Sequence, residues 1–162
     1  MFDKMKTIKL SQGKFALVDD DDYEYINQWK WCVKQCKQNY YAGRRIIFNG
    51  KYKFLYMHRF INNTENNLQV DHIDHNGLNN QRNNLRNCTC KQNRMNQKGR
   101  SKSGYRGVTY VKHYIVAQFP INGKTKHIGI FKTEEEAAKA YDKMAKLHYG
   151  EFANLNFPEK RF

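Results

Sequence analysis

The chain has 162 residues, enough for one ordinary domain or two small ones. Its 29 Lys and Arg against 15 Asp and Glu give a formal charge of +14, beyond the roughly 2–8 that solubility asks of a small domain. That excess is spread along the chain among 14% aromatic residues, which favours a nucleic-acid partner over a membrane surface, where basic charge gathers on one amphipathic helix.

The start, Met1-Phe2-Asp3-Lys4-Met5-Lys6, leads into no apolar run, and no stretch approaches the ~18 apolar residues of a membrane span. The expected compartment is therefore reducing and cytoplasmic. Thr7-Ile8-Lys9-Leu10 and Lys14-Phe15-Ala16-Leu17-Val18 flank the turn residues Ser11-Gln12-Gly13 and predict a hairpin. The acidic residues 19–22 suit the start of a short helix through Tyr25, Ile26 and Trp29, with capping preferred over metal binding as their role. Cys32, Cys36, Cys88 and Cys90 give C-x3-C and C-x-C, poor spacings for a zinc knuckle, and read as reduced, inert thiols. A second hairpin is predicted from Tyr40 to Met57 around Asn49-Gly50, the pair a type I′ turn prefers because both positions need positive φ.

Residues 62–96 are rich in Asn and resemble a low-complexity loop by composition. Leu68, Val70, Ile73, Leu78, Leu85 and Met95 punctuate them, however, and a solvated tract needs no such anchors. Residues 98–104 have the composition of a flexible basic linker, which divides the chain into domains at 1–97 and 105–162. Beyond it come three short strand candidates, an Asn122-Gly123 turn and a helix opening at the capping box Thr133-Glu134-Glu135-Glu136. Ala137, Ala138, Tyr141, Ala145 and His148 then make a mostly small stripe, suited to a helix lying close on a sheet.

The chemistry concentrates in Val70-Asp71-His72-Ile73-Asp74-His75-Asn76-Gly77-Leu78, followed by Asn83-Asn84-Leu85-Arg86 and Gln92-Asn93. Phosphodiester hydrolysis needs a base for water, a hard cation for phosphate charge and a partner that holds the base in one tautomer. A strand ending in Asp-His puts the two side chains on opposite faces, one for metal and one for water. A helix starting near Asn87 would return Asn93 to the ion, and the Asn84 amide oxygen could hold the imidazole.

In these residues, with Lys14-Phe15-Ala16-Leu17-Val18-Asp19, Trp31 and Met57-His58-Arg59-Phe60-Ile61, the chain resembles the HNH endonucleases, in particular the homing enzymes of phage and bacterial origin. The resemblance implies a ββα-metal fold, His72 as general base, Asn84 as the residue orienting it, and Asp71 and Asn93 as metal ligands. Asn93 stands where the family name has its last His. Its neutral, hard oxygen favours Mg²⁺ or Mn²⁺ over Zn²⁺. His58 and Arg59 support the site, contact phosphate or are structural only; His75 and Asp74 are further supporting candidates.

Residues 103–158 carry a second resemblance. Tyr105-Arg106-Gly107-Val108, Ala117-Gln118-Phe119, Ile128-Gly129-Ile130-Phe131, Glu135-Glu136-Ala137-Ala138 and Asn154-Leu155-Asn156-Phe157-Pro158 are similar to the AP2/ERF DNA-binding domain. That family's fold is a three-stranded antiparallel sheet on one helix, whose sheet enters the major groove. The match puts DNA-contacting positions at Arg106, Thr109, Gln118, Thr125 and His127; Lys112, Lys124 and Lys126 are expected on phosphate. Strand alternation turns Ile115, Ala117 and Phe119 to the helix and Val116 and Gln118 outward. Tyr141 and Phe131 are expected in the core.

The expected molecule is an α+β protein: an HNH nuclease preceded by β-hairpins, tethered to an AP2-like reader of double-stranded DNA, in a bacterial or phage-infected cell. A monomer is expected, and double-strand cleavage would call for a dimer or a second event. The rival reading is a DNA-binding regulator with a vestigial nuclease centre.

Overall fold

A computed structural model describes residues 5–37, 39–96, 102–121 and 123–158. The first four residues, positions 98–101 of the expected linker and Asn122 of the expected turn lie outside the described residues. The chain divides into two compact units, Met1–Asn93 and Arg94–Phe162.

In the first unit, β1 (Met5–Lys9) and β2 (Phe15–Asp19) pair antiparallel across a tight 3-10 turn at Ser11–Gly13. Their shared register puts Ile8, Ala16 and Val18 on one face, where all three are buried. Helix α1 (Asp20–Ile26) opens on three carboxylates, which suits its positive end, and stops before Trp29. The capping expected of the acidic run is not what Asp19 does. Asp19 makes no cap bond and instead accepts from the backbone N–H of Arg82 at 2.8 Å and from Gln81 Nε2 at 3.2 Å. Asp22 holds the Arg82 guanidinium at 2.7 and 2.8 Å. Charge-assisted bonds to a distant loop outweigh one local cap.

Strands β3 (Cys32–Cys36), β4 (Asn39–Phe48) and β5 (Lys51–Tyr56) form an antiparallel sheet in that order. The turn between β4 and β5 has φ of 49° at Asn49 and 69° at Gly50, as a type I′ turn requires. Helix α2 (Met57–Ile61) follows at once and buries Met57, His58 and Ile61. The Asn-rich region then builds a two-stranded antiparallel ribbon, β6 (Gln69–His72) with β7 (Leu85–Cys88), and a helix, α3 (Cys90–Met95). This helix begins later than the expected start near Asn87, because Asn87 is held in the ribbon opposite Val70. Leu85 joins Ile8, Leu10, Ala16, Val18, Ile26, Trp31, Ala42, Met57 and Ile61 in one core, with Val70 and Leu78 packed against it.

In the second unit, β8 (Val108–Val111), β9 (Tyr114–Ile121) and β10 (Lys124–Phe131) make an antiparallel sheet with β9 central. Helix α4 (Glu134–Tyr149) packs on one side of it. Both halves of its Thr133–Glu136 capping box are formed. Ala117, Ala137 and Ala138 are fully buried, as are Phe119, Tyr141 and Ala145, and Phe131 packs against the first of these clusters. Gly107 has φ +74°, and a Cβ there would stand 1.9 Å from the Tyr141 ring, so only glycine lets β8 approach the helix. Val116 faces away from the helix yet is 2% exposed, since it is short and central, flanked by Thr109 and Ile130.

Candidate active site and DNA-reading face

The ribbon register places Asp71 opposite Arg86 and His72 opposite Leu85. Both side chains are buried, at 5% for Asp71 and 7% for His72, on opposite faces of the same strand. On the Asp71 face, Arg86 reaches the carboxylate Oδ2 with Nη2 at 2.6 Å and Nε at 2.9 Å. Gln69, two residues before Asp71, shares that face, and its Oε1 accepts from Asn93 Nδ2 at 2.7 Å. This bond draws α3 to the strand that carries Asp71.

On the other face His72 meets an aromatic cluster. Its ring lies 5.0 Å from His58, edge to face, and 5.8 Å from Tyr41; His58 in turn stacks on Tyr56 at 5.2 Å. Burial lowers the pKa of His72, opposed by the Asp74 carboxylate, a hydrogen bond with Asn80 and the Asp71 charge. Burial, His72 and Arg59 push His58 down to about 3. Both imidazoles are neutral at physiological pH, the state a base needs.

The loop between the strands explains the asparagines. Asp74 is its hub: the carboxylate accepts from the Asn76 N–H at 2.8 Å, Asn79 Nδ2 at 2.8 Å and Asn84 Nδ2 at 2.9 Å. Asn84 Oδ1 accepts from the Asp74 N–H at 3.0 Å, and its Nδ2 also reaches the Asn79 carbonyl at 2.8 Å. His75 sits at φ 65°, its N–H bonded to the His72 carbonyl and its own carbonyl to Asn39 Nδ2. A Cβ on Gly77 would meet the Tyr40 carbonyl at 2.4 Å, so glycine is needed where the loop crosses β4. Leu17 ties the loop to β2, donating to the Leu78 carbonyl and accepting from the Asn80 N–H, both at 2.8 Å.

From this centre an unbroken face runs along the β3–β4–β5 sheet. Tyr41 with Lys34, Gly43 with Tyr56, Arg45 with Phe54 and Ile47 with Tyr52 share it by register. The Lys34 ammonium lies 4.7 Å over Phe54 and 5.3 Å over Tyr56, and the face ends in exposed Ile47 and Tyr52 at the hairpin tip.

In the second unit the face of β8–β9–β10 turned from α4 carries Thr109, Gln118, Thr125 and His127. Thr109, Gln118 and Thr125 line a shallow depression of about 820 Å³ with Lys102, Gly107 and Pro120. Lys126 pairs with Phe119 and Lys124 with Ile121, so both lie on the helix side at the open edge strand. Lys112 is exposed in the β8–β9 turn, while Arg106 donates Nε to the Tyr141 hydroxyl at 2.7 Å.

An uncharacterised HNH endonuclease of Acanthamoeba polyphaga mimivirus is 34% identical over 146 residues, covering 90% of this chain and 76% of that protein. The chain belongs to the HNH endonuclease family. Its C-terminal region is also similar to an AP2/ERF protein, the dehydration-responsive element-binding protein 2A of Arabidopsis thaliana. That match is 41% identical over 61 residues, 36% of this chain and 18% of that protein. No protein-family profile matches the chain.

In this member of the family, Asp71 and His72 are neighbours on β6, Asn93 is drawn toward that strand through Gln69, and His58 packs on His72. Asn84 is held elsewhere than expected: its amide serves Asp74 and Asn79. Arg59 grips the backbone carbonyls of Leu68, Thr64 and Glu65, closing the loop that leads into β6. Sequence reasoning missed Tyr41 and the Asp71–Arg86 pair. The last was within reach, because a ribbon closing at His72 and Leu85 sets Arg86 opposite Asp71.

Proposed function

We propose that the chain is a divalent-metal-dependent DNA endonuclease in which residues 1–97 cut, 98–104 tether and 105–162 read the target. The observation that carries this is the buried, neutral His72 set beside Asp71 at the end of one strand. In this reading β6, β7 and α3 are the family's ββα-metal unit, and His72 takes the proton from the attacking water. Asp71 and Asn93 fit a hard cation by donor chemistry, a carboxylate and an amide oxygen, as Mg²⁺ or Mn²⁺ prefers. Such an ion, when bound, neutralises charge on the phosphate and the leaving oxygen.

The face from Tyr41 to Tyr52 gives the duplex a path away from the cut, with cations interleaved among rings. Thr109, Gln118, Thr125 and His127 are read as groove-facing; Lys112, Lys124, Lys126 and Arg106 are assigned to phosphate or to holding the sheet. One site per chain nicks a single strand. The rival, a DNA-binding regulator with a vestigial nuclease centre, draws on the Arg86 guanidinium that already engages Asp71. A Mg²⁺ titration of plasmid nicking separates them. Asp71→Ala and Asn93→Ala are expected to raise the Mg²⁺ needed, or to lower the rate, by about 10- to 100-fold. Unchanged Mg²⁺ dependence in both variants would contradict the ligand assignment.

A further inference from the structure

Beyond Gly43, β4 and β5 lose the support of β3. Strand β3 pairs with β4 only from Asn39 to Gly43, so residues 44–48 and 51–55 run on as a two-stranded ribbon of about 13 Å. Every residue from 47 to 53 is exposed. Asn49 and Gly50, at φ 49° and 69°, close the ribbon in a tight turn that gives its tip a fixed shape. That tip is apolar where a solvated hairpin would be polar: Tyr52 is 80% exposed, Ile47 68% and Phe48 51%. Ile47 and Tyr52 are a cross-strand pair on the face that runs back toward Tyr41. Phe48 lies on the other face, with the Lys53 ammonium 4.3 Å from its ring centre. Two large side chains held out in water on a shaped tip are set up for an apolar occupant.

Charge identifies that occupant. From Asn39 to Met57 the chain carries Arg44, Arg45, Lys51 and Lys53 and no Asp or Glu. Arg44 is spent on Trp29 and Trp31, 4.4 and 5.6 Å from their ring centres, and the other three cations flank the apolar pair. A partner that is apolar in the middle and polyanionic on both sides is a base-pair step between its two phosphate strands. A membrane surface takes a broader apolar face than two side chains. We propose that the β4–β5 tip is a DNA wedge: Ile47 and Tyr52 enter a base-pair step of the bound duplex, unstack it and bend it, while Arg45, Lys51 and Lys53 hold the phosphates beside it. This rests on the reading of the Tyr41 to Tyr52 face as the duplex path and adds what the end of that path does. The cost of unstacking is recovered in contacts that the bent duplex makes along the face. The wedge belongs to the first unit, so the unit that carries His72 also makes the bend.

The test is fluorescence anisotropy of the full chain, in EDTA to stop cutting, on an intact duplex and on the same duplex with a short central gap. The gapped duplex is already unstacked and bends freely, so wild type is expected to bind it about 10- to 100-fold more tightly. Ile47→Ser with Tyr52→Ser is expected to bind the two alike and to keep the wild-type salt dependence, since the cations remain. Ile47→Leu with Tyr52→Phe is expected to keep the preference. Dyes at the two ends of the intact duplex should report bending by energy transfer with wild type and none with the double serine variant. Wild type that binds both duplexes equally overturns the wedge and leaves the duplex path standing; wild type that binds neither removes both. A double serine variant that still prefers the gap, however weakly it binds, also overturns the wedge. So does tip-dependent binding to phosphatidylserine vesicles by a wild type with no gap preference.

Discussion

His58 is 8% exposed, stacked on Tyr56 and edge-on to His72, with its pKa held at about 3 first by burial and then by His72 and Arg59. Its ordinary value is 6.5, so the unfolded chain takes up a proton first as pH falls. Stability from this group is complete above about pH 6.5 and drains toward pH 3, at roughly 1.4 kcal/mol per pH unit. His72 is lowered in the same sense. The urea midpoint is therefore expected to fall between pH 7 and pH 5, and His58→Gln should flatten that fall; an equal fall in both proteins would contradict the burial argument. Asp71 and Arg86 make a second residue-level case, 6% and 11% exposed as side chains. Removing one partner of a buried pair leaves a bare charge and costs about 3–5 kcal/mol. Arg86→Met is expected to lower Tm in EDTA, and Mg²⁺ to restore part of the loss by supplying a cation to Asp71. A Tm shift indifferent to Mg²⁺ would argue against metal at this carboxylate.

At the scale of elements, the loop from Ile73 to Asn84 is what converts a plain ribbon into a site. Gly77→Ala places a methyl 2.4 Å from the Tyr40 carbonyl and 2.6 Å from the Tyr41 ring, both on β4. The expected cost is about 1–3 kcal/mol, with slower nicking at temperatures where the protein stays folded. Circular dichroism melts and nicking on one preparation check it. Elements bounded by local turn chemistry were legible in the sequence: Ser11–Gly13, Asn49-Gly50 and the Thr133 capping box each name their own boundaries. Strand β3 was not, because Cys32-Val33-Lys34-Gln35-Cys36 has little strand character of its own and pairs because β4 offers an edge. The site shows the same limit. Asp71-His72 is visible in the sequence, but that Asn84 spends its amide on Asp74 and Asn79 depends on the hub at Asp74, which no spacing rule reveals. The late start of α3 has a similar origin, since Asn87 is claimed by pairing with Val70.

For the whole molecule the charge of +14 is the property to test first. Binding of the full chain to DNA is expected to weaken steeply with salt, and Lys124→Ala or Lys126→Ala should each flatten the log–log slope by about one unit. Gln118→Ala should instead alter sequence preference and leave the slope alone. A fluorescence-anisotropy titration at several salt concentrations distinguishes these, and equal slopes in all three variants would remove the two lysines from the phosphate assignment.

The central claim is that this chain cuts DNA with His72 as its base. Incubating supercoiled plasmid with wild type and His72→Ala in Mg²⁺, matched by EDTA controls, tests it most directly. The account predicts nicked circles from wild type only when Mg²⁺ is present, and a rate lower by about 10²–10⁴ in the variant. Wild type that leaves the plasmid supercoiled, or a variant that nicks as fast, would contradict it.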